Sequence, residues 1–134
     1  MRGITVNLTV PVSELYDKFT ILQIKQERIK DAAKRQAIDD QFVIAKFKCS
    51  EVQSMFDGHT ANRLRELVSE LRSVNGTLWN VEDALRVCER DSQFADEFIK
   101  LARSVYKLND KRSGLKRDID VLLGSALSEV KSYA

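Results

Sequence analysis

Apolar residues recur at alternating steps of three and four over the second half of the chain, from Leu64 to Leu122. A first series runs to Cys88 and a second begins at Phe94. A repeat of 3.5 residues marks a helix seam that another helix must cover, because each buried side chain is worth about 1.5–3 kcal/mol. Past Cys88 the first series meets mostly polar residues, so its phase breaks there. We therefore predict two long antiparallel helices joined near residues 89–93.

The composition indicates a globular protein with one domain of 134 residues. Hydrophobic residues make up 43% and charged residues 31%, which supports a packed core and excludes a disordered chain. One proline and five glycines argue against an all-β fold, because such a fold needs many turns. The net charge of +2 gives no electrostatic reason to expect nucleic acid or a membrane as a partner. No apolar run approaches the roughly 20 residues of a membrane span. We expect a cytoplasmic protein of a bacterium or of a phage-infected cell.

The N-terminal segment alternates between apolar and polar residues. Its apolar members are Ile4, Val6, Leu8 and Val10. A period of two is typical of a half-buried strand, and Pro11 ends it. The chain offers no second strand, so we expect this β-like arm (1–12) to lie along the helices or to pair with the same arm of a second molecule.

The same three-four spacing predicts two earlier helices, at 13–31 and 37–57. Ser13 is the expected N-cap of the first, while Gly58 and Thr60 are expected to end the second and cap the third. The long pair then occupies 61–90 and 92–124, and 125–134 is a weakly amphipathic tail. Short connections favour antiparallel neighbours. The predicted fold is all-α, a single-domain antiparallel four-helix bundle with a long coiled-coil-like hairpin and a short N-terminal β-like arm.

An arginine interrupts the apolar seam of the fourth helix at Arg112. A buried arginine is costly unless it is paired, so we expect it to bind Glu70 or a carboxylate from another helix. One explanation is a structural polar layer that fixes the register of the helices. In that case, replacing Arg112 with leucine should leave the protein folded.

A small-molecule pocket at the same level is the second explanation. One edge row of the third helix and one of the fourth combine aromatic and polar side chains. They are Asn75, Trp79, Glu82 and Arg86 on the third helix, and Tyr106, Asn109, Ser113 and Lys116 on the fourth. Gly76, placed inside a helix at a cost of about 1 kcal/mol, would permit a close approach. Such a mixture is typical of ligand pockets, and it is equally typical of a partly hydrated helix interface.

Most familiar catalytic and metal-binding patterns are absent from the sequence. Zinc-ligand spacing, a phosphate loop and a dinucleotide glycine fingerprint do not occur. His59 is the single histidine, so neither a di-iron bundle nor a histidine-activated nucleophile is indicated. Glu14 and Asp17 form an acidic pair on the first helix. The second acidic helix that a metal-dependent, all-helical nucleotide hydrolase would need is absent from the sequence. Cys49 and Cys88 lie on apolar seams and are interpreted as buried thiols, with a disulfide only if they face each other. We predict no catalytic residues, no metal and no cofactor.

Several motifs resemble a family of uncharacterised small helical proteins of bacteria and their phages. The opening motif is VSELYDKFTIL at 12–22, with IK at 24–25 and ERI at 27–29. The central motif comprises Asn75, LW at 78–79 and VED at 81–83. The last comprises LAR at 101–103, VY at 105–106, NDKR at 109–112 and LK at 115–116. The resemblance implies that Asp17, Lys18, Asn109, Asp110 and Arg112 belong to one pattern, and it assigns them no role.

Two functions follow as hypotheses. The first is a non-enzymatic helical interaction module that forms a homodimer or another homo-oligomer, with an unidentified protein as an alternative partner. The second is a small-ligand-binding protein or enzyme for a polar anionic molecule, such as a nucleotide or a sugar phosphate. The residues that would bind this ligand are Asp17, Lys18, Asn75, Trp79, Asn109, Asp110 and Arg112. If these side chains open into one cleft, the ligand hypothesis is favoured; if they pair within a closed interface, the module is favoured.

Overall fold

The computed structural model describes residues 3–127, and this part of the chain contains four α-helices. Helix α1 spans Val12–Arg28, α2 spans Ala32–Gln53, α3 spans Gly58–Arg90 and α4 spans Asp96–Leu123. All regular secondary structure in residues 3–127 is helical, which confirms the predicted all-α class and is consistent with a helical bundle.

Aspartates, rather than the predicted serine and threonine, set the beginnings of three helices. Asp31 caps α2 by accepting a hydrogen bond from the backbone N–H of Lys34 at 2.9 Å, so α2 begins five residues before the predicted 37. Asp57 caps α3 in the same way through the N–H of Thr60 at 2.8 Å, so α3 begins at 58 rather than 61. The prediction of Thr60 as a cap was wrong, because an aspartate three residues earlier already satisfies its N–H.

The N-terminus of α1 is capped from another helix. The backbone N–H and the hydroxyl of Ser13 donate to Asp120 Oδ1 and Oδ2 of α4, both at 2.9 Å. The predicted N-cap role of Ser13 was therefore wrong: the residue lies inside α1, and the carboxylate that receives its N–H comes from α4. Beside this contact, the ammonium of Lys116 donates to Glu14 Oε1 at 2.7 Å. These two contacts fix the start of α1 against α4.

The remaining helix ends differ from the prediction by a few residues. Helix α1 ends at Arg28 rather than 31, α2 ends at Gln53 rather than 57, and α4 begins at Asp96 rather than 92. Gly124 ends α4 in the left-handed conformation with φ of 64°, which only glycine adopts without strain. Residues 128–134 of the predicted tail lie outside the described part of the chain.

The predicted β-like arm is not supported. Residues 3–11 adopt no regular secondary structure, and the side chains of Ile4, Val6 and Leu8 are 93%, 85% and 80% exposed. The alternation in the sequence is therefore not accompanied by burial of one face. The physical reason is that the sequence offers no second strand to pair with this arm. A strand without a neighbour leaves its backbone hydrogen bonds unformed, and it is not stable on its own.

The core lies where α1, α3 and α4 meet, and α2 extends it on the side of α1. The main cluster gathers leucines of α3 with Tyr16 of α1, Cys49 of α2 and Leu115 and Ile119 of α4. A second cluster joins Leu22 to Ile38 and Ala45, and the rings of Phe19 and Phe42 stack beside it with centroids 5.4 Å apart. Among the four described helices, α2 has an extensive contact only with α1. No helix within residues 3–127 is long and apolar enough to cross a membrane.

Candidate functional site

Three helices bring a set of polar residues together at one level of the bundle, three of which are predicted site residues. Asp17 and Thr20 come from α1, Asn75 from α3 and Arg112 from α4. Each occupies a position on its helix that faces the other two helices, so the sequence periodicity that builds the core also places these polar groups within it. Asp17 is 4% exposed and Asn75 is 6% exposed, while Thr20 is fully buried.

A carboxylate and a guanidinium form the centre of this polar layer. Arg112 donates through Nε to Asp17 Oδ1 at 3.0 Å and through Nη2 to Asp17 Oδ2 at 2.5 Å. This two-pronged geometry holds the guanidinium in one plane. Arg112 Nη1 also lies 3.5 Å from the side-chain oxygen of Asn109. The expectation that Arg112 pairs with a carboxylate of another helix is confirmed, and that carboxylate is Asp17 rather than Glu70.

Asn75 supports the carboxylate from the side of α3. Its side-chain nitrogen donates to Asp17 Oδ1 at 3.0 Å and to Thr20 Oγ1 at 2.9 Å. The Thr20 hydroxyl in turn donates to the backbone carbonyl of Asp17 at 2.8 Å. Every buried side-chain polar atom in the described residues has a hydrogen-bond partner. The layer is therefore a satisfied network, which is the condition under which buried polar groups specify a structure.

A cleft of about 580 Å³ opens beside this network, between the second half of α3 and the facing parts of α1 and α4. Trp79, Ile21, Ile24 and Leu78 supply its apolar lining. Its polar lining comprises Asn75, Glu82, Asp83, Arg86, Asn109 and Arg112. An apolar cleft with a few convergent polar groups is the usual form of a ligand site.

The structure divides the seven predicted site residues into three groups. Asn75, Trp79, Asn109 and Arg112 line the cleft, and Asp17 lies beneath it as the buried partner of Arg112. Lys18 is exposed and borders a separate groove with Val10 and Gln41, so it does not belong to this cleft. Asp110 is exposed on α4 and does not line the cleft.

Sequence reasoning missed some of the lining residues as site residues. Glu82 and Arg86 lie on the same row of α3 as Trp79. Their position on that row was the signal that could have identified them as site residues. Asp83 lies on the neighbouring row. Ile21 and Ile24 widen the apolar face of α1 beyond what one neighbouring helix can cover, and that width was the signal for them.

The cleft is lined by two carboxylates, two guanidinium groups and two amides beside apolar side chains. Among the described residues, no histidine, cysteine or serine lines it, and His59 is exposed near the start of α3. In the part of the chain that the structure describes, no three His, Cys, Asp or Glu side chains converge as metal ligands. Cys49 lies elsewhere in the core, where burial raises the pKa of its thiol to about 12. Burial also raises the pKa of Tyr16, whose hydroxyl reaches the Cys49 carbonyl at 3.4 Å.

Comparison with protein-family models, with curated proteins and with solved structures finds no match. The resemblance to the family of small bacterial and phage proteins therefore stays a prediction. The shape and chemistry of the chain's own surfaces carry the functional argument.

Proposed function

We propose that this chain is a non-enzymatic helical interaction module that assembles with itself, as a homodimer, through the outer face of α2. The single observation that carries this proposal is an apolar patch of three neighbouring side chains on that face. Val43, Ile44 and Phe47 are 67%, 66% and 62% exposed in the single chain. Isolated exposed apolar residues are ordinary, but a contiguous patch of large ones is typical of an interaction surface.

The position of the patch on α2 supports this proposal. Ile38, Ala45 and Cys49 are the buried residues of α2. At 100° per residue, Val43 and Phe47 lie on the opposite side of the helix from these three. Gln36, Asp40, Glu51 and Ser54 continue the outer row at either end, so the patch is apolar in its middle and polar at its rim. That is the usual organisation of an interface between proteins.

A stable dimer interface needs more surface than α2 alone can supply. A 22-residue helix is about 33 Å long. A helix-wide contact of about 10 Å along that length covers roughly 330 Å², less than half of the ~800 Å² that each partner contributes to a stable interface. The exposed side chains of Ile4, Val6 and Leu8 are further apolar surface, and they would extend the contact without forming a strand.

The finer description of the fold is part of this proposal. We infer that α1 runs antiparallel to α2 and to α4, because contacts pair rising residue numbers on α1 with falling numbers on each of these two helices. Along α1 and α4, Ser13 meets Asp120 and Asp17 meets Arg112. Along α1 and α2, Tyr16 meets Cys49 and Gln26 meets Asp39. We also propose that α3 and α4 pair as in a coiled coil, which the periodicity of their apolar seams supports. We further propose that the protein is located in the cytoplasm of a bacterium or of a phage-infected cell, which the family resemblance supports.

Light scattering on the full chain tests self-assembly. The wild type is expected to be a dimer at micromolar concentration, and the double variant Ile44→Glu, Phe47→Glu is expected to be a monomer because two charges would be buried in the contact. Ile99→Glu with Val121→Glu is the matched control, since it places two charges at exposed apolar positions of α4, away from the patch. A monomeric wild type at every concentration contradicts the proposal. A dimer that survives the double variant moves the interface away from α2.

A second candidate function is the binding of a small polar ligand in the cleft beside Trp79. The observation that favours it is that four of the seven predicted binding residues share one cleft and that a fifth, Asp17, holds one of those four in place. The cleft and the α2 patch lie on different helices, so neither function excludes the other.

A further inference from the structure

We propose that the cleft beside Trp79 binds a small organic cation whose head group carries N–H donors, such as a protonated amine or guanidine. This inference rests on the ligand-binding role proposed for the cleft and is independent of self-assembly. It also changes the class of ligand, because the sequence suggests a polar anion held by the asparagine, aspartate and arginine residues of the predicted site.

The charges around the cleft disfavour an anion. The guanidinium of Arg112 is compensated by Asp17, a carboxylate that it contacts through two nitrogens. The charged side chains that remain in the lining are Glu82, Asp83 and Arg86, two acids and one base, which leaves one net negative charge. All three are exposed, and no ion pair within residues 3–127 involves them. An arriving cation therefore meets two carboxylates that are not held in ion pairs, in a lining with one net negative charge.

The buried end of the cleft presents a hydrogen-bond acceptor. Asn75 uses its side-chain nitrogen on Asp17 and Thr20, which fixes the orientation of the amide. Its side-chain oxygen accepts no hydrogen bond from any described residue. Since no buried side-chain polar atom lacks a partner, this oxygen is reached from outside, and Asn75 lines the cleft. An amide that is 94% buried and has an unoccupied acceptor at a cleft suits a ligand N–H.

The wall and the volume of the cleft restrict the ligand further. Trp79 is half-buried in the lining, and indole is the side chain that attracts cations best through its π-face. The volume of about 580 Å³ lies within the range of roughly 300–1,000 Å³ that small-molecule sites occupy. Ile21, Ile24 and Leu78 would cover the alkyl body of such a ligand. Acceptors, a π-face and an apolar floor together describe an alkylamine or alkylguanidine.

The test follows the fluorescence of Trp79, which is the only tryptophan of the chain and therefore reports this cleft alone. The full chain is titrated with agmatine at constant ionic strength, and in parallel with tetramethylammonium and with inorganic phosphate. The NMR resonance of the indole N–H gives a second readout. We expect a saturable response to agmatine, a response to tetramethylammonium at least threefold weaker because it has no N–H donor, and no saturable response to phosphate.

Two variants locate the binding. Glu82→Gln with Asp83→Asn removes both rim carboxylates and is expected to weaken agmatine binding about tenfold, or roughly threefold for each exposed charge. Glu89→Gln makes the same kind of change on the same helix outside the cleft and should leave the affinity within about twofold. All three positions are exposed, so the thermal midpoints of the variants should stay near that of the wild type.

Each contrary result has a separate meaning. Saturable binding of phosphate without agmatine overturns the cationic class and keeps the ligand site. Equal binding of tetramethylammonium and agmatine overturns the role of the acceptors. Agmatine binding that is unchanged in the double variant overturns the assignment to this cleft. Absence of a saturable response in both readouts for every probe overturns the cation proposal together with the ligand-binding function.

Discussion

Replacing Arg112 with leucine is expected to destabilise the protein by about 2–4 kcal/mol. The substitution leaves the carboxylate of Asp17, only 4% exposed, with the single side-chain hydrogen bond from Asn75. Removing one partner of a buried ion pair costs about 3–5 kcal/mol, because the other charge stays buried without compensation. We lower that range because the Arg112 side chain is 30% exposed and water screens part of the interaction. The sequence alone had suggested a tolerated substitution, since it did not reveal how deeply the partner lies.

A second substitution separates loss of the pair from loss of packing. Asp17→Asn in the Arg112→Leu background removes the uncompensated charge and keeps the shape of the side chain. The double variant should therefore be more stable than Arg112→Leu alone, with a coupling energy of at least about 1 kcal/mol between the two sites. Urea midpoints and slopes of the four proteins give the cycle. If Arg112→Leu lies within about 0.5 kcal/mol of the wild type, the reasoning from burial is refuted. A double variant less stable than Arg112→Leu would show that the amide network, rather than the charge, dominates.

Three further predictions concern positions outside the cleft. Gly76→Ala and Gly114→Ala should each stabilise the protein by about 1 kcal/mol and raise Tm by roughly 3–5 °C, because a Cβ at either position would meet no described atom within 4 Å outside the adjoining turns of its own helix. A lower Tm would mean that a close approach at the glycine matters. Alkylation at pH 8, followed by mass spectrometry, should label Cys88 before Cys49. Cys88 is half-buried, whereas burial raises the pKa of the Cys49 thiol to about 12, and equal rates of labelling are expected only in denaturant. Stability should be fully present below pH 9.0 and fall as the pH rises toward 12, since Cys49 ionises earlier in the unfolded chain; Cys49→Ala should flatten that decline.

The helices were predictable because their periodicity reflects burial directly. The seam residues Leu64, Leu67 and Leu71 are almost completely buried, and so is Ile119 on the facing helix. The ends were harder to predict because several residues at each junction can act as caps. Asp57 was overlooked in favour of a threonine of similar propensity, and no cap was predicted for α2, which Asp31 caps. The surroundings of Gly76 were equally out of reach of the sequence: a glycine in a helix permits a close neighbour, and the packed structure shows open space around it among the described residues.

The sequence predicts that Arg112 has a carboxylate partner, but it does not predict which acidic residue that partner is. A seam arginine demands a carboxylate, but the sequence contains 20 acidic residues and gives no distances between helices. Asp17 becomes the partner because α1 lies against both α3 and α4, which only the tertiary packing decides. The Asp120 cap of α1 was out of reach for the same reason, since the two residues are separated by 107 positions in the sequence. Lys18 and Asp110 were included because the family motifs contain them, and adjacency in a motif does not place two side chains on one face of a helix.

Helix α1 separates the two surfaces to which functions are proposed. Phe19, Leu22 and Gln26 contact α2 on one side of this helix, while Asp17, Ile21 and Ile24 face the polar layer and the cleft. At 100° per residue these two sets lie on nearly opposite sides. A second molecule bound at the α2 patch would therefore leave the cleft open, and a ligand in the cleft would leave the patch exposed. Glutamate at positions 44 and 47 should accordingly abolish assembly without changing the response of Trp79 to agmatine. A loss of both activities in one variant would show that α1 transmits a change between the two surfaces.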